Sequence, residues 1–159
     1  MTPAIRAAER ARVAHRVLSY EHDPAAPAYG PEAAAALGLD PRQVFKTLVV
    51  AVEGGARAEL AVAVVPVSSQ LDLKAMADAL GAKRVALAEP AAAERTTGYV
   101  VGGISPLGQR KALRTVVDAS ALEWPEVFVS AGRRGLEIAL APSDLVRVTG
   151  AHIAPVSRS

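Results

Sequence analysis

The 159-residue sequence predicts an α+β fold, one domain in which a mixed sheet is wrapped by helices. Three observations carry this reading. Two pairs of apolar runs of strand length, residues 47–52 with 60–65 and 126–130 with 136–140, are each joined by a glycine-bearing turn, the pattern of antiparallel hairpins. Around them lie short helical segments opened by Thr-Pro, Asp or Pro, several of them closed by Gly. Strands and helices do not alternate evenly, which argues against βαβ winding.

In chain order, Thr2 is an N-cap and Pro3 a first helical position, and residues 4–12 are good helix formers with Ile5 and Ala8 on one face. Residues 15–20 read as a strand ended by Glu21-His22-Asp23-Pro24. Pro31 opens an alanine-rich helix that Gly38 caps, and Asp40-Pro41 opens a single turn leading to Phe45-Lys46-Thr47. The strand 47–52 turns at Glu53-Gly54-Gly55 into 60–65, a hairpin buried on both faces and central to the sheet. Asp72 caps a helix through Leu80 that Gly81 stops. Residues 84–87 are a short strand and 90–95 a short helix. Val100 and Val101 are expected as a buried strand feeding the loop that follows. Residues 114–118 are a strand, 119–124 a short helix, and 142–146 a last helical turn after the second hairpin.

Composition narrows the function classes. The chain has no cysteine, which excludes disulfides, thiolate metal sites and a cysteine nucleophile, and fits a reducing cytoplasm. No apolar run approaches membrane-spanning length. The formal charge of +2 argues against a duplex-DNA coat. The basic residues nonetheless gather in Lys83-Arg84, Arg110-Lys111, Arg114 and Arg133-Arg134 near strand ends and loops, as solvated surface or as contacts to a phosphate-bearing partner.

The chemistry-bearing residues are few. His15, His22 and His152 share no metal-ligand spacing, so no metal site is expected. There is no Gly-x-Ser-x-Gly elbow, and Ser130, at a strand end, has no evident base. The stretch from Thr97 to Gln109 carries four glycines and Pro106, and reads either as a decorated tight turn or as a backbone-lined cradle for an oxyanion. Lys46 sits between Phe45 and an apolar strand, where alternation puts it on the face of Leu48. It either snorkels at a sheet edge or lines a cleft, where its ammonium fixes a phosphate or polarises a carbonyl.

Several short motifs in this order, Thr2-Pro3-Ala4, Tyr20-Glu21-His22-Asp23-Pro24, Val44-Phe45-Lys46-Thr47-Leu48, Gln70-Leu71-Asp72-Leu73-Lys74, Ala79-Leu80-Gly81-Ala82-Lys83, the glycine loop and Arg134-Gly135-Leu136-Glu137-Ile138, resemble the YbaK/EbsC family. These are relatives of the editing domain inserted in bacterial prolyl-tRNA synthetases, and the likeness runs from Thr2 to about Asp144. It implies a mostly antiparallel, partly barrel-like sheet surrounded by helices, with residues 1–159 forming one editing domain. It also implies a cytoplasmic hydrolase that clears cysteine from Cys-tRNA(Pro), with Cys-tRNA(Cys) a further substrate, without a cofactor.

By the same resemblance, Lys46 and the amides of Gly102 and Gly103 are the catalytic groups. Lys46 would clamp the terminal adenosine or its phosphate while the amides hold the developing oxyanion. Tyr20, Thr47, Ser105, Pro106, Ser130 and Glu137 would bind substrate. Arg110, Lys111, Arg133 and Arg134 are candidates for the tRNA acceptor arm, or ordinary surface charge. The implied mechanism is substrate-assisted, the cysteinyl thiol attacking its own ester to give a thiolactone. Glu137 departs from the aspartate expected there, which keeps the charge and moves the carboxyl by about a bond length. Two other readings are a deacylase for another small residue, as in Ala-tRNA(Pro), and a non-catalytic acceptor-arm module assisting prolyl-tRNA synthetase.

Overall fold

A computed structural model describes residues 1–25, 29–55 and 57–159. In order, the elements are α1 (Pro3–Arg10), β1 (His15–Ser19), α2 (Tyr29–Leu37), β2 (Phe45–Glu53), β3 (Glu59–Pro66), β4 (Gln70–Leu71) and α3 (Leu73–Leu80). Then follow β5 (Arg84–Leu87), α4 (Pro90–Thr97), β6 (Arg114–Asp118), a 3₁₀ turn (Ala119–Glu123), β7 (Val127–Arg133), β8 (Leu136–Leu140), α5 (Pro142–Thr149), β9 (His152–Ala154) and β10 (Ser157–Arg158).

The expected start and stop signals act as read. The Thr2 side chain accepts from the Ile5 amide ahead of Pro3, and Asp72 accepts from Ala75. Gly81 closes α3 in the left-handed conformation that glycine adopts without a Cβ penalty. α2 begins two residues before Pro31, and α4 and α5 run two to three residues beyond the expected 90–95 and 142–146. The turn of the first hairpin includes position 56, outside the described residues.

The five-stranded sheet has the order β5-β2-β3-β6-β9. β2 is antiparallel to β3 and β5, and β6 runs parallel to β3 and β9. A second, antiparallel sheet has the order β1-β8-β7, and β10 pairs with β4. The sheets do not close into a barrel. A parallel bridge between Val44 and Phe128, with the Phe128 amide donating to the Gln43 carbonyl (3.1 Å), ties the three-stranded sheet to the start of β2.

Apolar side chains sort onto the two faces of the main sheet by strand alternation. Phe45, Val49, Val62 and Val64 face α1 and the β7–β8 hairpin, whereas Val50, Ala61, Ala63 and Val65 face Met76 and Leu80 of α3. β3 is buried on both faces over most of its length, as expected of a central strand. A third small cluster, Ala34, Val44, Phe128 and Ala139, lies beneath α2 on the other face of β7–β8.

The C-terminal segment, with β9 and β10, carried no sequence signal. It is anchored by Asp118, 3% exposed, whose Oδ1 accepts from the Val156 (2.8 Å) and Ser157 (3.0 Å) amides while Oδ2 accepts from Ser120. Burial opposes ionisation of this carboxyl, but these hydrogen bonds outweigh it and hold Asp118 below the usual carboxylate range.

The expectation of a buried strand at Val100 and Val101 is overturned. Neither is in a strand, and they are 71% and 38% exposed. Gly98 ends α4 at φ +82°, and the chain passes straight into turns. The Val101 amide is held by the Glu94 carboxylate (2.8 Å) instead of a ladder partner.

Candidate functional site

β5 pairs with β2 only from Val50 to Glu53. The Ala88 amide still donates to the Val49 carbonyl (2.9 Å), but the edge of β2 before that point, residues 45–48, is left uncovered, and a cavity of about 490 Å3 opens there. Its other walls are the β5–α4 connection, the glycine loop at Gly102 and Ile104, the β7–β8 face carrying Ser130 and Glu137, Tyr20, and Pro31 of α2. The two hairpins and the loop, separated in sequence, meet here. Ladder parity places Ser130 and Glu137 directly opposite each other and on the same face as Phe128 and Ala139.

Of the residues expected at the site, Tyr20, Lys46, Thr47, Gly102, Ser130, Arg133 and Glu137 are brought together around this cavity. Lys46 is half-buried, its ammonium donating to the Ser69 carbonyl (2.8 Å), and burial lowers its pKa. Thr47 lies on the same face of β2 as Phe45 and Val49, and its Oγ1 is buried with no partner among the described residues. Burial pushes the Tyr20 phenol up, with Glu137 adding to the shift.

Glu137 is 6% exposed, and its Oε2 has no hydrogen-bond partner among the described residues. Desolvation raises its pKa to about 8, so this carboxyl carries its proton at neutral pH. The extra methylene relative to aspartate therefore extends a neutral acid, where the sequence alone implied a retained charge.

The glycine loop is rigidly braced. Tyr99 Oη donates to the Leu107 carbonyl (2.7 Å), the Arg110 amide to the Thr97 carbonyl (2.9 Å), and Gln109 Nε2 to the Ser105 carbonyl (3.0 Å). Gly102 has φ +97°, where an L side chain is strained. Gly103 is required for a different reason: a Cβ there would come within 2.7 Å of Arg133 Cα.

Several expected roles need correction. The Gly103 amide donates to the Val100 carbonyl (2.8 Å) and its carbonyl accepts from Ser130 Oγ (3.1 Å), so Gly103 braces the loop and has no N–H to offer an oxyanion. The Gly102 and Ile104 amides belong to cavity-lining residues and make no hydrogen bond among the described residues. Ser105 is fully buried, its Oγ accepting from the Leu107 amide (3.2 Å), and Pro106 is buried beside it. Both stand behind the cavity instead of lining it.

The four basic candidates separate. Arg133 is exposed at the cavity wall, while Arg110 packs on Gly98 at the end of α4 and Lys111 is exposed away from the lining. Arg134 faces Glu32 of α2 (Nη2 to Oε1, 3.4 Å), and His22 Nδ1 also meets Glu32 Oε1 (2.9 Å). This cluster, not foreseen from the sequence, ties α2 to the β7–β8 turn at the cavity's rim. Leu87, 61% exposed at the end of β5, and Val101 form an apolar lip that was also missed, because chain order does not show which residues face outward.

Among the described residues no group of three or more His, Asp or Glu side chains could hold a metal ion, and no helix is long and apolar enough to cross a membrane. The family model for the aminoacyl-tRNA editing domain matches residues 23–148. The chain is 38% identical over 124 residues to EbsC of Enterococcus faecalis, assigned as a Cys-tRNA(Pro)/Cys-tRNA(Cys) deacylase, the match covering 78% of this chain and 74% of that one. It is 31% identical over 107 residues to the multifunctional Ser/Thr-tRNA deacylase ProXp-y of Escherichia coli K12, covering 67% of this chain and 64% of the relative.

Solved structures agree on the fold. The hypothetical protein APE2540 superposes with a TM-score of 0.86 at 28% identity, over 99% of this chain and 100% of that one. A protein described as a trans-editing enzyme for prolyl-tRNA synthetase does so at 0.82 and 26%, over 100% and 99%. With its cavity walled by the β2 edge, the glycine loop and the β7–β8 face, the chain belongs to the aminoacyl-tRNA editing domain family.

Proposed function

We propose that the protein is an aminoacyl-tRNA deacylase acting in trans, in the cytoplasm, on cysteine misattached to proline tRNA. The observation that carries this reading is the cavity itself. It holds a half-buried lysine and the amide-bearing glycine loop, yet the one serine among its described lining residues, Ser130, has its hydroxyl committed to the Gly103 carbonyl, and those residues include no histidine, while the Glu137 carboxyl opposite Ser130 is held protonated by burial. The identity to EbsC supports cysteine as the residue removed.

In this mechanism Lys46 leaves the Ser69 carbonyl to bind the terminal nucleotide, and the Gly102 amide stabilises the oxyanion. The cysteinyl sulfur, as thiolate, forms a bond to its own ester carbonyl carbon. The carbon–oxygen bond to the ribose then breaks, that oxygen takes up a proton, and a thiolactone and free tRNA result. Proximity supplies much of the rate. Tyr20, Thr47 and Glu137 shape the aminoacyl pocket, and Arg133 contacts the acceptor end. Arg134 and Arg110 act through the rim, and Lys111 through long-range charge.

A second reading, removal of serine or threonine, rests on the likeness to ProXp-y and on a cavity of about 490 Å3, which has room for threonine. The deciding experiment is deacylation of Cys-, Ser-, Thr- and Ala-tRNA(Pro), with and without prolyl-tRNA synthetase. The expected result is fastest loss of cysteine, with thiolactone trapped. A thiol is a few per cent ionised at neutral pH, roughly, and a hydroxyl essentially never is. Equal rates for cysteine and serine overturn substrate assistance. Tight tRNA binding with no cleavage overturns the enzymatic reading in favour of an acceptor-arm binding module.

A further inference from the structure

The cavity presents donors and acceptors unevenly. Lys46, Arg133 and the loop amides are donors, suited to phosphate and to the ester carbonyl. Against them stands a single carboxyl among the described lining residues, Glu137, near the start of β8 and laddered on both sides, opposite Leu18 of β1 and Ser130 of β7. The two ladders fix its backbone, and its Oε2 stays buried without a partner. Thr47 Oγ1, across the cavity on the uncovered edge of β2, is likewise buried and unpartnered. Buried polar atoms in native folds are almost always satisfied, so two orphans in one cavity mark a place where a ligand completes the bonding.

An aminoacyl ester brings three polar features: its carbonyl, its side chain and its α-amino group. Only the α-amino group is a cationic multiple donor, and only Glu137 is a charge-matched acceptor for it. Resting on the reading of this cavity as an aminoacyl-ester site, we propose that Glu137, with the Thr47 hydroxyl as a second acceptor, is the subsite for the free α-amino group, and that the protein thereby rejects tRNAs whose amino group is acylated. Burial raises the carboxyl to about 8, and a free α-amino group ordinarily titrates at roughly 7.7–8.0. The two hold one proton between them, so the pair forms near neutrality without bringing net charge into the cavity. Acylation removes the amine's basicity and most of its N–H groups and leaves Glu137 an orphan. N-formylated and peptidyl-tRNAs, which carry the same ester, are thereby spared.

The test uses uncleavable 3′-amide analogues of aminoacyl-adenosine with a free, an acetylated or an absent α-amino group, titrated calorimetrically into the wild-type protein and Glu137→Gln. The wild type should bind the free-amine analogue about ten- to a hundredfold more tightly than the other two. Glu137→Gln, close in shape, should bring all three within about twofold, and Thr47→Val should narrow the gap in part. Equal binding of all three by the wild type, or a preference that survives in Glu137→Gln, overturns the proposal. If aminoacyl-tRNAs are cleaved while the analogues bind alike, this inference alone fails. If no analogue binds and no ester is cleaved, the deacylase reading falls with it.

Discussion

The two halves of β2 belong to one continuous strand and have opposite uses. From Val50 to Val52 the strand is paired on both sides, by β3 and β5, and Val50 is fully buried against the α3 layer. From Phe45 to Leu48 it is paired to β3, but the β5 side no longer covers it, and there the cavity opens. Where the ladder is complete, side chains serve stability. Where it stops, backbone and side chains face the cavity, the kind of open edge that peptides and substrates commonly use.

The sharpest way to break this contrast is to cut one residue in each half. Lys46→Ala should lower deacylation of the preferred aminoacyl-tRNA by about a hundredfold or more, as loss of a preorganised charge does, while the melting temperature stays within a few degrees. Val50→Ala should do the reverse, costing about 2 kcal/mol in urea unfolding with rates per folded molecule nearly unchanged. Unchanged activity in the first variant would remove Lys46 from the site.

The glycine loop offers the next contrast, between neighbours. Gly102→Ala, strained at φ +97°, should lower turnover on the order of ten- to a hundredfold with modest loss of stability. Gly103→Ala must displace the Arg133 backbone and should show mainly in a lower melting temperature. Full rates in the Gly102 variant would remove its amide from the oxyanion role.

Glu137 contrasts with ordinary carboxyls in sign. Its folded pKa is raised by burial from 4.5 to about 8, so between those values the folded state holds a proton that the unfolded chain releases. Its contribution to stability is complete below pH 4.5 and falls as pH rises toward 8. Glu137→Gln should therefore flatten the decline of melting temperature between pH 5 and 8. A parallel profile for the two proteins would show that the carboxyl is ionised in the fold.

The smallest effect expected is at the rim. Arg133→Ala should weaken tRNA binding a few-fold and make the salt dependence shallower by about one counterion, whereas Lys111→Ala, away from the lining, should change it less.

Much of the fold was legible because its signals are local. Thr2, Asp72 and Gly81 cap helices within their own neighbourhood, and the two hairpins announce themselves by paired apolar runs. β4, β9 and β10 were not legible, since each is two or three residues long and is defined by a distant partner. Val100 and Val101 misled for the opposite reason: β-branched residues have the local character of a strand, but after Gly98 there is no free ladder for them. At the site, spacing alone left Lys46 and the glycine loop ambiguous, and the order of several weak motifs singled them out. It did not show that Ser105 turns away from the cavity, or that Glu32 reaches across to His22 and Arg134.

The anchoring of the C-terminal segment on Asp118 bears on how the molecule opens. Two amide protons, of Val156 and Ser157, rest on one carboxylate oxygen thirty-eight and thirty-nine residues away in sequence. Because that carboxylate titrates below its usual range, the tether holds at neutral pH and is released as acid protonates it. The end of the chain then becomes a separate opening unit, freed before the main sheet gives way. Hydrogen exchange followed residue by residue as the pH is taken below 3.8, the ordinary value for this carboxyl, should show Val156 and Ser157 gaining deuterium while Val62 and Val64, at the centre of the sheet, remain protected.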